Sequence, residues 1–316
     1  MTDSPTMHAT VIDAYGPPEV LRAARVPRPE PGDGEVLVRV RAAGVNAIDW
    51  LSRAGNGVSV ARFPAVLGWD IAGTVVEVGP GGGRFGVGDR VFGMVGFPRL
   101  AGGYAEYVAA SADQLARVPD GLDDRTAAGA AMPALTAWES VHLHAAVAAG
   151  QRVLVHGGAG GVGHVAVQLA ALTGAEVSAT ASEHNRDFVT GLGARQVVDY
   201  TKERVEDLVK DVDVVIDTRG GPDFEQLLTT LRPGGLIVTL KGERPDHAPL
   251  LRKHGVRAAY TYVSPDGTAL DRVAPLLAEG RLRIGIQQTL PLDGAAEAHR
   301  IGETGHVRGR IVLDVG

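Results

Sequence analysis

A run of glycines is the feature of this sequence with the clearest capacity for chemistry. Gly158, Gly160 and Gly163 have the spacing Gly-x-Gly-x-x-Gly. An aliphatic segment, Val153–His156, precedes them, and an amphipathic segment begins near Val162. Glycine lets backbone amides approach a pyrophosphate, and a helix that begins there turns its positive end toward that anion. The motif is weak alone, but a strand before it and a helix after it indicate a dinucleotide site.

The end of the next predicted strand bears on the choice between NAD and NADP. An NAD site places Asp or Glu there, where the carboxylate accepts a hydrogen bond from the ribose 2′-hydroxyl. This strand ends at Ser182 without an acid, and Arg186 follows one turn later. Glu183 would repel a 2′-phosphate if it pointed inward, so we place it on the solvent side and expect NADP. The alternative for Arg186 is a solvated helix residue.

The middle of the chain alternates predicted strands and helices, which indicates βαβ units and a parallel sheet. The predicted strands are Arg152–His156, Glu176–Ser182, Gln196–Asp199, Asp213–Asp217 and Leu236–Leu240. The predicted helices are Val162–Leu172, Asn185–Leu192, Lys202–Lys210 and Pro222–Leu231. Before them, Ala127–Ala149 is expected to be a helix that Pro133 breaks or kinks. Gly234 and Gly235 are expected to form a stop before the last strand.

The two ends of the chain have a different pattern. Short predicted strands separated by Pro/Gly clusters suggest a β-barrel-like module in the first third. These strands are Ala9–Ala14, Glu35–Ala43, Ile71–Val78 and Tyr104–Ala109. The tail is predicted to contain the helices Leu270–Ala278 and Ala295–Ile301 and the strands Leu282–Thr289 and Arg310–Val315.

Composition excludes several classes of function. The 316 residues suggest about two domains at roughly 150 residues each. A net charge of −6 argues against a nucleic-acid or anionic-membrane surface. The chain has no cysteine, which removes disulfides, thiolate nucleophiles and zinc sites that use sulfur. Met1–Gly16 lacks the apolar core of a signal peptide, so we expect a reducing, cytoplasmic location.

Several further motifs, in order and at the right spacing, carry a resemblance over nearly the whole chain. They are Ala43–Asp49, Gly68–Gly73, Val87–Gly93, Gly102–Tyr107, Asp217–Gly221 and Gly305–Leu313, together with the glycine run. With these motifs the chain resembles the zinc-independent quinone oxidoreductases of the medium-chain dehydrogenase/reductase superfamily.

The resemblance implies an α/β fold in which a Rossmann doubly wound parallel sheet is inserted into a GroES-like β-barrel catalytic domain. The catalytic domain would comprise residues 1–127 and 264–316, and the dinucleotide-binding domain residues 128–263. It also implies an active site in the interdomain cleft and a homodimer.

The resemblance also bears on metal and substrate. Zinc relatives carry Cys where this chain has Asn46, and Gly-His-Glu where it has Gly68-Trp69-Asp70. They also have a four-cysteine structural loop, which is absent here, so we expect no metal. Without a Lewis acid, the better substrates are conjugated electrophiles: quinones, enones and enals. The negative charge that then builds on the distant oxygen needs only hydrogen-bond donors and a proton.

Individual roles follow from the resemblance, position by position. Asn46 would lie beside the nicotinamide and the substrate, unless it only caps a helix that starts near Ala47. Thr136 would face the nicotinamide. The implied cofactor-binding residues are Gly158, Ala159, Gly160, Gly161, Val162, Gly163, Ser182, Arg186, Tyr200, Leu240 and Lys241. The tyrosine that several relatives carry a few residues after the Asn46 motif is absent, so protonation from solvent is the expectation.

Three functions remain open. The first is an NADPH-dependent reductase of a small electrophilic molecule, a quinone or an α,β-unsaturated carbonyl. The second is an enoyl reductase or tailoring oxidoreductase of specialised metabolism. The third is an NADPH-binding protein without turnover. Consumption of NADPH with a simple quinone separates the third from the other two.

Overall fold

A computed structural model describes residues 5–316; Met1–Ser4, where the predicted catalytic domain begins, lie outside the described residues. The strands are β1 Thr6–Ile12, β2 Arg22–Pro27, β3 Glu35–Val45, β4 Ala65–Val66, β5 Asp70–Val78, β6 Arg90–Met94, β7 Tyr107–Ser111, β8 Leu115–Arg117, β9 Arg152–His156, β10 Glu176–Ala181, β11 Gln196–Asp199, β12 Val212–Asp217, β13 Leu231–Thr239, β14 Arg257–Tyr260, β15 Ile286–Pro291 and β16 Arg310–Asp314. The helices are α1 Ala47–Arg53, α2 Asp124–Trp138, α3 Gly163–Leu172, α4 Arg186–Gly191, α5 Val205–Leu208, α6 Phe224–Leu228, α7 His247–His254, α8 Gly267–Ala278 and α9 Ala295–Glu303.

The chain divides into two compact units. Unit 1 runs to Leu135 and resumes at Ser264–Gly316, and unit 2 is Thr136–Val263. Among residues 5–316, no helix is long and apolar enough to cross a membrane.

Unit 2 contains a six-stranded parallel sheet in the order β11-β10-β9-β12-β13-β14. This order places the first strand, β9, in the middle, so the chain winds outward to one edge and then to the other. It is the doubly wound order of dinucleotide-binding folds, in which ligands bind at the carboxyl ends of the strands where the order reverses. The predicted α/β fold is confirmed.

Unit 1 is built on the long strand β3. Antiparallel β5 lies on one side of β3, and β7 and β16 pair with successive parts of β3. The larger sheet runs β15-β16-β3-β5-β6-β8, and a smaller one runs β2-β1-β4. Aliphatic side chains from these strands form the core, with Val36, Val38 and Val75 fully buried.

Two local expectations need correction. Helix α2 is not broken at Pro133, and it ends at Trp138 rather than Ala149, with wider, π-type turns following at Glu139–His144. Burial of its alanines outweighs the roughly 3 kcal/mol cost of an internal proline, since Ala127, Ala131 and Ala134 have no exposed surface. Gly234 and Gly235 lie inside β13, which begins at Leu231. They fall in the stretch between Leu231 and Leu236 where the register with β12 shifts, so the strand continues through them.

Candidate functional site

The glycine loop follows β9 at the carboxyl end of the parallel sheet, where the strand order reverses. Two hydrogen bonds to Thr180 of the neighbouring strand β10 fix the first residues of the loop. The Thr180 hydroxyl accepts the Gly157 amide at 2.9 Å, and the Thr180 carbonyl accepts the Gly158 amide at 2.9 Å. The Gly160 amide donates to the Gly157 carbonyl at 3.0 Å, which closes the turn.

The glycines of this loop differ in the space around them. A Cβ on Gly163 would lie 2.0 Å from the Gly157 carbonyl oxygen, so only glycine fits at the start of α3. A Cβ on Gly160 would meet a single neighbour within 4 Å, the Gly157 oxygen at 3.4 Å. Gly163 is therefore required by the turn itself, whereas a side chain at Gly160 would find open space in the free protein.

The loop offers unused backbone donors. Gly161 and Val162 are half-buried residues, and their amides have no acceptor among residues 5–316. They precede α3, whose first turn contains no acidic residue. Free amides at the positive end of a helix favour an anion such as a pyrophosphate. The residues present thus fit the phosphates of a dinucleotide cofactor.

The end of β10 contains an ion pair that changes the expectation for Arg186. The Arg186 guanidinium donates to both carboxylate oxygens of Glu183, at 2.8 and 2.9 Å, and to the Val197 carbonyl at 2.6 Å. The Arg186 hydrogen bond holds the pKa of Glu183 below its usual value. Glu183 is exposed, as expected. However, its carboxylate accepts hydrogen bonds from Arg186, the residue expected to bind a 2′-phosphate. Ser182 is half-buried and its hydroxyl accepts from Asn185 Nδ2 at 3.3 Å.

Arg219 is a site residue that the sequence reasoning did not assign. A Cβ on Gly157 would lie 2.8 Å from Arg219 Cγ, so the stem of this side chain crosses the start of the glycine loop. Its guanidinium carbon lies 5.7 Å from the centre of the Tyr200 ring, which is 41% exposed. Its position in the Asp217–Gly221 motif was the available signal.

Asp217 fixes the loops that follow β12 and β13. Its Oδ1 accepts the amides of Arg219 and Gly220 at 3.1 and 2.9 Å, and its Oδ2 accepts the Thr239 hydroxyl at 3.1 Å. The Leu240 amide donates to the Asp217 carbonyl at 3.2 Å. Lys241 packs against Gly220, where a Cβ would lie 2.1 Å from Lys241 Cγ. Leu240 and Lys241 therefore flank the same strand ends as Arg219.

In unit 1, Asn46 is the N-cap of α1 and forms a capping box with Asp49. The Asn46 amide donates to Asp49 Oδ2 at 2.5 Å, and Asn46 Nδ2 donates to Asp70 Oδ2 at 2.9 Å. Asn46 thus caps α1, as the alternative to a site role required, and these hydrogen bonds hold Asn46 in a fixed orientation. Asn46 is 5% exposed.

Two buried carboxyl groups surround Asn46. Burial raises the pKa of Asp49 to about 7 and that of Asp70 to about 6. Arg310 Nη2 donates to Asp70 Oδ2 at 3.2 Å, and burial lowers the pKa of Arg310. The Met132 amide donates to Asp70 Oδ1 at 3.1 Å. Asp70 is therefore committed to donors within unit 1.

Two further positions from the sequence analysis, Trp69 and Thr136, are buried. Trp69 is fully buried and its indole donates to the Arg99 carbonyl at 2.7 Å. Thr136, in unit 2, is 6% exposed, and its carbonyl accepts the Ser140 hydroxyl at 2.8 Å. Within the part of the chain that is described, no three His, Asp or Glu side chains form a group suited to a metal ion.

Two family descriptions match parts of the chain. Residues 32–120 match the alcohol dehydrogenase GroES-like domain, and residues 192–313 match the family described as zinc-binding dehydrogenase. Among curated proteins, the chain is 32% identical to NAD(P)H oxidoreductase RTN4IP1, mitochondrial, of Danio rerio, over 98% of this chain and 91% of that protein. It is 33% identical to NADPH-dependent alkenal/one oxidoreductase, chloroplastic, of Arabidopsis thaliana, over 97% of this chain and 79% of that protein.

Solved structures give the same result. The quinone oxidoreductase from Coxiella burnetii is 36% identical, with a TM-score of 0.94 over 99% of this chain and 100% of that one. The Escherichia coli quinone oxidoreductase complexed with NADPH is 27% identical, with a TM-score of 0.89 over 98% of this chain and 100% of that one.

Proposed function

The chain belongs to the quinone-oxidoreductase type of the medium-chain dehydrogenases/reductases, and we propose that it is an NADPH-dependent reductase of quinones or α,β-unsaturated carbonyls. The observation that carries the proposal is the glycine loop with unpartnered amides at the reversal point of the parallel sheet. NADPH, when bound, supplies a hydride to an electrophilic carbon.

The residues of unit 2 would bind and orient the cofactor. The amides of Gly161 and Val162 would donate to the pyrophosphate, with Gly158, Ala159, Gly160 and Gly163 shaping the turn. Ser182, Arg186 and Tyr200 would face the adenosine phosphate, although Arg186 first has to leave Glu183. Leu240, Lys241 and Thr136 would border the nicotinamide.

Asn46 would act on the substrate side. Its orientation is fixed by Asp49 and Asp70, and Asn46 Nδ2 has a second hydrogen beyond the one that Asp70 accepts. A pre-oriented amide N–H can stabilise negative charge that develops on a carbonyl oxygen without reorganising. Replacement of Asn46 by Ala should lower kcat by about tenfold or more and leave NADPH binding unchanged.

We also propose that turnover needs no zinc. The support is chemical: Asn46 and Trp69 are poor zinc ligands, and the Asp70 carboxylate already accepts hydrogen bonds from Asn46, Arg310 and Met132.

A homodimer is proposed in line with the family resemblance. Strand β14 is an edge strand of its sheet, so its outer backbone groups are open for pairing. Light scattering tests whether the protein is a homodimer.

We also propose a cytoplasmic location, because the chain has no cysteine.

The deciding experiment is an NADPH oxidation screen across quinones, enones, enals and saturated aldehydes. Turnover with the conjugated compounds and little with saturated aldehydes supports the proposal. Turnover with saturated aldehydes alone contradicts the substrate class. Tight NADPH binding with no oxidation in the presence of any acceptor contradicts the enzyme assignment and favours a binding protein.

A further inference from the structure

The carboxyl edge of the parallel sheet in unit 2 carries several cations, and most of them are already paired. Arg186 is held by both oxygens of Glu183. Lys202 Nζ lies 3.5 Å from Asp199 Oδ2. Arg219, by contrast, forms no ion pair with a carboxylate among residues 5–316, and its guanidinium carbon lies 5.7 Å from the centre of the Tyr200 ring. One exposed guanidinium is thus left over at the edge where a cofactor phosphate binds.

The path of the Arg219 side chain is set by the fold. Asp217 Oδ1 accepts the Arg219 amide and fixes the turn after β12. The stem then crosses Gly157, where an added Cβ would lie 2.8 Å from Cγ and 3.2 Å from Cδ. Gly157 has φ +83°, so glycine is favoured there for the backbone as well. The missing side chain at Gly157 provides the channel through which Arg219 passes.

The direction of that path identifies the part of the cofactor it reaches. In the sheet order β11-β10-β9-β12, Arg219 starts beyond β12, crosses the end of β9 and ends against Tyr200, which follows β11. The guanidinium therefore points toward the ends of β10 and β11. In this fold the end of the second strand, here β10, receives the adenosine ribose and its 2′ substituent. Lys241, which follows β13 and packs on Gly220, starts on the opposite side of β12 from this path.

We propose that Arg219, backed by Tyr200, is the guanidinium that binds the 2′-phosphate of NADPH, and that it takes the role expected of Arg186. This inference rests on the proposed function. A guanidinium binds phosphate through two parallel, charge-assisted hydrogen bonds, and its face can stay on an aromatic ring while its edge donates. Arg219 is free to do this, whereas Arg186 must first break two hydrogen bonds to Glu183.

The test compares dissociation constants for NADPH and NADH by calorimetry, without turnover, at one salt concentration. Arg219→Met should weaken NADPH binding by at least about tenfold, or roughly 1.4 kcal/mol, and change NADH binding by less than about threefold. Arg219→Lys, which keeps the charge without the paired geometry, should fall between parent and Met. Arg195→Met is the matched control: Arg195 pairs with Glu176 at the amino edge of the same sheet, and this variant should change neither constant.

Adenosine 2′,5′-bisphosphate, used as a probe against AMP, isolates the 2′-phosphate from the rest of the cofactor. Arg219→Met should lose the preference of the parent for the bisphosphate. Equal weakening of NADPH and NADH would overturn the proposal by placing Arg219 at the pyrophosphate. Unchanged NADPH binding in Arg219→Met would overturn it too, while leaving the proposed function intact. A parent protein that binds neither dinucleotide would overturn the proposed function, and this inference with it.

Discussion

Replacement of Gly160 by valine separates cofactor binding from folding. In the free protein a Cβ at this position meets only the Gly157 carbonyl oxygen, at 3.4 Å, so the variant should fold with a small loss of stability. Where a pyrophosphate accepts from the Gly161 and Val162 amides, a branched side chain one residue before them would crowd it. Each charge-assisted hydrogen bond to a phosphate contributes roughly 1.5–3 kcal/mol. Loss of even one such bond predicts at least about tenfold weaker NADPH binding.

The assay needs two measurements on each variant: NADPH affinity by fluorescence titration and the free energy of unfolding by urea. Gly160→Ala should lie between parent and Gly160→Val in affinity. Gly163→Ala is the opposite control, because its Cβ would lie 2.0 Å from the Gly157 oxygen and should destabilise the turn itself. If Gly160→Val is folded and binds NADPH as tightly as the parent, the loop does not hold the pyrophosphate and the reasoning is refuted.

Three other outcomes are expected. Glu183→Gln should strengthen NADPH binding about threefold or more in a titration, since it removes a negative charge near the 2′-phosphate and frees the Arg186 cation beside it; weaker NADH binding in the variant would instead indicate that Glu183 accepts from the ribose 2′-hydroxyl, as in an NAD site. Extensive chelator treatment should leave activity unchanged, and elemental analysis should find no stoichiometric zinc. The folded-state pKa of Asp49, about 7, exceeds its unfolded value of about 3.9, so its contribution to stability falls as pH rises between these values. Urea unfolding from pH 5 to 8 should therefore show Asp49→Asn gaining stability relative to the parent; parallel curves would contradict this.

Strong local patterns predicted much of unit 2. The glycine loop has a recognisable spacing, and β9 and β12 contain the aliphatic runs Val153–Val155 and Val214–Ile216, so the positions of these elements follow from sequence. Strand β14 and helix α7 were not predicted: Arg257–Tyr260 has only half-buried or exposed side chains, and its strand conformation comes from pairing with β13.

The sequence predicted the backbone elements of the candidate site, but it predicted the ion pairs of its charged side chains less fully. The spacing of Glu183 and Arg186 at i and i+3 already allows an ion pair. Treating Glu183 only as a repulsive charge overlooked that it also neutralises the nearby cation. The Asp217–Gly221 motif marked the turn that contains Arg219, but the role of this side chain could not be assigned from sequence, because its reach depends on which strand ends lie side by side. Asn46 shows the reverse case: its cap role was foreseen, and that role is what fixes its orientation.

The way β3 is paired has a consequence for how the protein is made. Glu35–Arg39 pair with β7, but Ala42–Val45 pair with β16, which leaves the ribosome only after the whole of unit 2 has been synthesised. Unit 2 is a continuous segment and can complete its sheet first. Until β16 emerges, the nascent chain keeps an apolar strand edge open at Ala42–Val45, which is a surface prone to aggregation. Premature release of a chain truncated before β16 should therefore give insoluble protein, even though its parallel sheet is intact.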